Sequence, residues 1–373
     1  MKLTDVVDRI NGNVDRLTTE LEYYIGGEHF ESNELEVTQK GLLKENLGKL
    51  GFKFHFAFQD RDVVFMARNP HLRKAGMVRF AGLCSDASYI LRSKDETVLS
   101  QEYLAVMLQS DHFWDYCESH KVGSVNFANN WSSIANYEFE LPTPEEQKEI
   151  SDKVWAAYRL KKTYKKLLAA TEEMVKSQFI EMFGTIDEPK VEVKKLIDVV
   201  LSSGQYGSNT SATDYQEGKP RYIRITDIND DGSLNDDIKT AEVIEDKYRL
   251  IPGDIVFART GATVGKTYMH ETGNAIYAGY LIKYQMNESK MKPEFMKAFT
   301  HSKTYYNWVA NSQKVGAQPN ISAAQYDNMP VLVPQIEKQE EFLAIYHQAD
   351  KSGFELRKSI DAIDAVIKSL INS

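Results

Sequence analysis

The stretch most suggestive of chemistry is Gly261-Ala262-Thr263-Val264-Gly265-Lys266-Thr267, directly after the apolar run Ile255 to Ala258. A phosphate loop needs four residues between its glycines, so that enough backbone N–H groups curl around the phosphate. Here there are three, and Thr260 stands where the first glycine belongs. The spacing favours a Gly-rich turn that either sets one strand against a neighbour or brings Arg259 and Lys266 close to a DNA phosphate. Asp187 with Glu192-Val193-Lys194 echoes a nuclease carboxylate–lysine pattern, but so short a pattern arises readily by chance. Asn69-Pro70 is followed by His71, so the Asn-Pro-Pro-Tyr stretch with which an adenine methyltransferase holds a flipped base is missing. The eight histidines form no H-x-x-x-H pair, and Glu28-His29 reads as a turn or a groove-facing pair rather than a metal site. No catalytic residue, metal ligand or cofactor is assigned.

Binding chemistry is better represented. Arg68, Arg73, Lys74 and Arg79 form a basic cluster in the first part of the chain. Lys121, Asn126, Asn129 and Asn130 lie in a loop-like stretch after it. Arg259, Thr260, Lys266, Lys314, Gln318 and Asn320 flank turns in the third quarter. Arg and Lys serve phosphate or guanine, and Asn and Gln pair with adenine, so these residues are the DNA-binding candidates. An ordinary solvated side chain is the alternative at each of them.

The elements that must position these groups are dominated by one stretch. Pro142 and Pro144 end what precedes them, and Thr143 reads as the N-cap of a helix running to Phe183, with Gly184 as its stop. Ile150, Val154, Ala157, Lys161, Tyr164, Leu168, Thr171, Val175, Gln178 and Met182 alternate steps of four and three, a heptad seam with polar interruptions. The stretch recurs at the end of the chain. Shifted by 192 residues, Pro142 falls on Pro334, Gln147 on Gln339, and Val175-Lys176-Ser177 on Ile367-Lys368-Ser369. The second seam holds Phe342, Tyr346, Ala349, Gly353, Leu356, Ile360, Ile363, Ile367 and Leu370 in the same register. Two such stripes bury each other by packing together. Lys161, Lys162, Lys165 and Lys166 read as a solvated outer face rather than a DNA-facing one.

The repeat extends beyond the helices. Tyr222-Ile223 answers Tyr24-Ile25, Pro252 to Thr260 answers the segment ending at Arg68, and Lys314-Val315-Gly316 answers Lys121-Val122-Gly123. Within the first copy the pattern predicts a helix over Met1 to Leu21 and strands at Tyr23 to Ile25, Lys53 to Phe58, Asp62 to Met66 and Ser88 to Leu91. It then predicts a helix over Gln101 to Glu118, a loop over Lys121 to Ala135 and a strand at Tyr137 to Leu141. The fold class is therefore α+β, a pseudo-two-fold internal repeat. Two mixed α/β domains, 1–142 and 185–334, are separated by two long helices, 143–184 and 335–373, packed as an antiparallel coiled coil.

Composition bounds the function. The chain has 373 residues, 42% hydrophobic, with a net charge of −9, which suits sizeable cores and argues against a basic coat while allowing a local basic cleft. No apolar run approaches the roughly 20 residues of a membrane span. The polar start and two distant cysteines, Cys84 and Cys117, point to a cytoplasmic protein without a disulfide framework. A duplicated object with two different heads suits duplex DNA, whose backbone has local two-fold symmetry, and an asymmetric, interrupted target.

Pro252 to Thr267 (PGDIVFARTGATVGKT), Lys314 to Ser322 (KVGAQPNIS) and Val331 to Phe342 (VLVPQIEKQEEF) resemble the specificity subunit of type I restriction–modification systems. The resemblance covers essentially the whole chain, although Arg61 to Pro70 (RDVVFMARNP) lacks the glycines of its counterpart. It implies two target-recognition domains joined by conserved helices, and a non-catalytic protein binding double-stranded DNA. Its implied partners are two methyltransferase (M) subunits, which methylate adenine at N6, and restriction/translocase (R) subunits. The alternatives are a coiled-coil interaction scaffold that binds no DNA, and the recognition subunit of a related type IIB-like enzyme.

Overall fold

The computed structural model describes residues 1–125, 127–312 and 319–372, which form two compact units. One comprises 1–167 and 356–373, the other 168–355, so each unit contains part of both long helices.

In the first unit, Val7–Ile10, Ser88–Ser93, Val63–Met66 and Ala75–Met77 form an antiparallel sheet in that order. A second sheet orders Gly41–Leu42, Tyr23–Ile25, Gly82–Ser85 and Phe54–Phe58, with one parallel pair, Tyr23–Ile25 on Gly82–Ser85. Every residue of Val63–Met66 is buried because the strand has apolar material on both faces. Val63 and Phe65 join the core shared with helices Gln101–Met107 and Asp111–Ser119, where Phe65 stacks on Trp114 at 5.5 Å. Val64 and Met66 alternate to the other side, among Ile25, Phe58 and Cys84 of the second sheet.

The second unit repeats this plan. Gln205–Tyr206, Leu281–Gln285, Asp254–Ala258 and Thr267–Met269 follow the same strand order, and Arg221–Ile223 pairs in parallel with Ala275–Tyr277. Ile255 and Phe257 face the helix-side core, and Val256 and Ala258 face the other. The correspondence reaches single hydrogen bonds. Gln147 receives the Ser100 N–H at 3.0 Å and donates to the carbonyls of Val98 and Pro142 at 2.8 and 2.9 Å. Gln339, 192 residues on, receives Lys292 N–H at 2.8 Å and donates to Lys290 and Pro334, both at 2.9 Å. Both glutamines are buried, and each fastens the start of a long helix to its own head. The left-handed turn before the central strand also recurs, with φ +70° at Arg61 and +90° at Gly253.

The long helices are Pro144–Phe183 and Ile336–Ile371. Thr143 Oγ1 accepts Glu146 N–H at 3.3 Å while Glu146 accepts Thr143 N–H at 2.8 Å, a reciprocal cap. Gly184, at φ +75°, stops the helix; an added Cβ would meet the Glu188 carbonyl at 2.2 Å. The helices pack together with antiparallel pairing inside each unit. In the first, Val154 and half-buried Ile150 share a core with Ile367 and Ile363, and Ile360 is buried. In the second, Phe179 and Phe183 meet Phe342 at 5.4 and 5.6 Å, beside Val175 and Tyr346. Tyr164, Leu168 and Leu356 are half-buried.

Several local expectations change. Met1 to Leu21 is not a helix: only Leu3–Val6 is helical, and β-branched Val7 and Ile10 enter a strand against Ser88–Ser93. Gln101 to Glu118 is two helices, because Ser110 Oγ caps the second by accepting Phe113 N–H at 3.2 Å. The loop over Lys121 to Ala135 contains the helix Trp131–Ala135. Tyr137 to Leu141 makes only an isolated bridge, Glu138 with Lys2. The lysine-rich face is not simply solvated. Lys161 is buried between Glu34 at 2.9 Å and Asp364 at 2.6 Å. Lys162 reaches Glu36 and Lys165 reaches Glu34, so three of these lysines hold the first head's Glu34 and Glu36 against the helix; Lys166 is exposed.

Candidate nucleic-acid interface

The Gly-rich turn of the second unit begins where Asp254–Ala258 ends. Four of its backbone donors are occupied: Gly261 N–H reaches the Pro319 carbonyl at 3.0 Å, Val264 N–H the Gly261 carbonyl at 3.2 Å, Gly265 N–H the Ala258 carbonyl at 2.9 Å, and Lys266 N–H the Thr263 carbonyl at 3.0 Å. These N–H groups are spent on the turn, which removes the cradle a phosphate loop requires. Gly265 is dictated by packing, since its φ is +88° and a Cβ would lie 2.7 Å from Val309 Cγ1. Lys266 is held by Asp230 at 2.8 Å and the Ile228 carbonyl at 3.3 Å.

Arg259, Thr260 and Asn320 converge, although Arg259 and Asn320 are 61 residues apart in the chain. Thr260 and Asn320 form an isolated antiparallel bridge, and Thr260 Oγ1 donates to the Pro319 carbonyl at 3.2 Å. Arg259 Nε donates to Asn320 Oδ1 at 3.2 Å, and its guanidinium carbon lies 4.8 Å from the Tyr206 ring centre. Tyr206 is 43% exposed and Tyr280, whose carbonyl accepts Arg259 N–H at 3.1 Å, is 61% exposed. Both tyrosines were missed because the candidates were sought chiefly among Arg, Lys, Asn and Gln. Their signal was the neighbouring glycine in each case: Gly207 after Tyr206 and Gly279 before Tyr280. A Cβ on Gly207 would collide with the Tyr277 and Ala278 carbonyls, and one on Gly279 would displace the Asn209 side chain.

The basic cluster of the first unit is largely spent internally. Arg73 forms an ion pair with Asp111, whose carboxyl is held below its ordinary pKa chiefly by that hydrogen bond. Lys74 Nζ donates to the Gly27 carbonyl at 2.7 Å, and Arg79 reaches Glu36 at 3.1 Å. Lys121 pairs with Glu118 at 2.6 Å beside the Phe127 ring. Asn129 is buried, donating to the Cys117 carbonyl at 2.7 Å, whereas Asn130 is exposed. Arg68 is exposed and bridges Ala128 through its backbone, the exact counterpart, 192 residues earlier, of Thr260 with Asn320. Asn126, Lys314 and Gln318 lie outside the described residues.

The other chemical motifs resolve into structure. Glu192 and Lys194 pair with each other at 3.1 Å on the strand Glu192–Lys195. His29 Nδ1 accepts the Gly26 N–H at 2.9 Å. Burial raises the Cys84 thiol to about 12 and pushes that of Cys117 higher still, so neither is a reactive thiolate. Among the described residues no cluster of metal-ligating side chains occurs, and no helix is long and apolar enough to cross a membrane.

Comparisons place this geometry among known proteins. A family model for the type I restriction modification DNA specificity domain matches residues 188–363. The fold resembles that of a type I restriction–modification system S subunit from M. genitalium, at TM-score 0.59 and 12% identity, covering 100% of this chain and 94% of that one. It also resembles a chain from a structure concerning complex assembly and conformational transition of the type I R-M system. There the TM-score is 0.57 at 15% identity, with 100% and 95% covered. No curated protein matches the sequence significantly. Residues 188–363 are thus similar to the type I restriction modification DNA specificity domain, and the chain as a whole has the fold of the type I specificity subunits.

Proposed function

We propose that this chain is the non-catalytic DNA-recognition subunit of a type I restriction–modification complex. The domains over 1–142 and 185–334 each read one half of an asymmetric, bipartite target. The paired helices dock two methyltransferase subunits, and restriction subunits join that assembly in the cytoplasm. The observation that carries the reading is duplication with divergence. The scaffold repeats down to the hydrogen bonds of Gln147 and Gln339, while the bridge at the end of the central strand carries Arg68 and Ala128 in one unit and Thr260 and Asn320 in the other. A common frame with different edges is what two dissimilar half-sites need. Among the proposed contacts, Arg68 is exposed and the terminal nitrogens of Arg259 have no partner among the described residues, with Thr260 and Asn320 beside Arg259. Arg73, Lys74, Lys121 and Lys266 would have to leave internal partners.

The test is to co-express the chain with its methyltransferase partner and map N6-methyladenine in the host genome. The expected result is one interrupted, asymmetric motif. The complex is also expected to bind duplex DNA with an affinity that falls as salt rises, because phosphate contacts release counterions. A chain that assembles with the partner yet binds no duplex DNA, and yields no motif, would be a protein-binding scaffold. The internal engagement of the first unit's cations favours that second reading. The purified chain alone is expected to hydrolyse no ATP and methylate no DNA.

A further inference from the structure

Arg259 is set up differently from every other described cation in the proposed interface. Its Nε is committed to Asn320 Oδ1 and its guanidinium lies against the Tyr206 ring. Arginine only donates, so the Asn320 amide must turn its oxygen toward Nε. The terminal nitrogens Nη1 and Nη2 form no hydrogen bond or ion pair among the described residues, unlike those of Arg73 and Arg61. One edge of the guanidinium is therefore fixed by an amide, one face by a ring, and the far edge is left as two parallel donors. Two parallel donors match the O6 and N7 acceptors of guanine in the major groove, the commonest specific contact of arginine. Asn320 is badly placed to read adenine itself, because the bidentate adenine contact needs the amide oxygen that Arg259 already occupies.

Resting on the recognition reading above, we infer that Arg259 reads a guanine in one half of the target, with Asn320 and Tyr206 positioning its guanidinium. The first unit has alanines at both matched places, Ala67 for Arg259 and Ala128 for Asn320. The contact accordingly exists in one half-site alone. Holding the side chain before binding also lowers the entropy cost of ordering a long, flexible arginine.

The experiment uses the complex of this chain with its methyltransferase partner, its mapped motif, and duplexes in which each guanine of that motif is replaced singly by 7-deazaguanine, which lacks the N7 acceptor. One guanine in one half is expected to weaken binding by the wild-type complex on the order of tenfold. The Arg259→Ala complex should be indifferent to the same replacement, and its methylation motif should relax at that position only. Arg259→Lys should relax it as well, since an ammonium cannot present two parallel donors. Asn320→Ala should relax it in part, and Asn320→Asp should restore it, because a carboxylate still accepts from Nε.

Uniform weakening over all sequences with an unchanged motif would make Arg259 a phosphate contact and overturn the inference. So would relaxation at a base other than guanine, or a motif with no guanine that responds. Should Arg259→Ala abolish methylation, the modified duplexes decide with the wild-type complex alone. A wild-type complex that neither binds nor methylates DNA would instead overturn the recognition reading, and this inference with it.

Discussion

At the scale of single residues, Gln147 and Gln339 are the most telling pair. Each satisfies one N–H and two carbonyls at the place where a head meets its helix. Truncation strands these groups, so Gln147→Ala and Gln339→Ala should each cost about 2–3 kcal/mol, measured by urea denaturation. A loss below about 0.5 kcal/mol would mean that water replaces the amide. The sequence marks these glutamines as matched at a shift of 192, but nothing in it says that they are buried. The same limit applies to the cations. Arg73 and Lys74 look as available as Arg259, and what separates them is Asp111 and the Gly27 carbonyl, 38 and 47 residues away in the chain. Arg259 and Asn320 were both legible as polar groups beside turns. Their mutual hydrogen bond was not.

Among the elements, the long helices were the most legible, since their periodicity persists over 40 and 36 residues. Short elements were not. Leu3, Val6, Val7 and Ile10 satisfy a helical spacing, and partner strands decide the outcome at Val7. The seam also contains something periodicity describes only as an interruption. Lys161 is buried with Glu34 and Asp364, and an ion pair so placed stabilises little by itself but is costly to break. Lys161→Met should destabilise the first unit by roughly 2–4 kcal/mol, because it leaves Glu34 with Lys165 alone. Lys161→Met combined with Glu34→Gln should recover part of that loss in the same denaturation assay. A double variant no better than the single would show that the network does not act as a unit.

For the whole molecule, the two units should respond to acid in different windows. His301 is half-buried, and its Nδ1–H donates to the Lys297 carbonyl at 2.7 Å. Burial lowers its pKa from 6.5, with the Lys297 charge adding to the effect. A depressed folded pKa means that the unfolded chain takes up the proton first, so this stability is fully present above pH 6.5 and is lost as pH falls below it. Glu34 in the first unit is held below 4.5 by its lysines, which outweigh its burial. Its contribution persists above pH 4.5 and is lost only as pH falls through the lowered folded pKa. The second unit should therefore begin to weaken as pH falls below 6.5, whereas the Glu34 contribution to the first unit holds until pH falls below 4.5. His301→Gln should flatten that dependence in unit-resolved hydrogen exchange. Equal weakening of both units in the variant would assign the effect elsewhere. The duplication itself was legible throughout, because it rests on spacing. The identity of the bases read was not, because it depends on which side chains the edge leaves free.

The glutamine sockets also imply an order of assembly. Gln147 closes contacts only 5, 47 and 49 residues back along the chain, whereas Asp111 meets Asn372 across 261 residues. Loops of the first kind close while the polypeptide is still being made; contacts of the second kind wait until Asn372 has been synthesised. A nascent chain halted after Gly184 should thus hold a folded first head with the start of its helix already docked. The seam around Ile150 and Val154 would remain uncovered until Ile363 and Ile367 arrive. Limited proteolysis of ribosome-stalled chains would show this as early protection of the Gln147 region and late protection of the seam. The interval between the two is the period in which this protein is most exposed to aggregation and has most need of a chaperone.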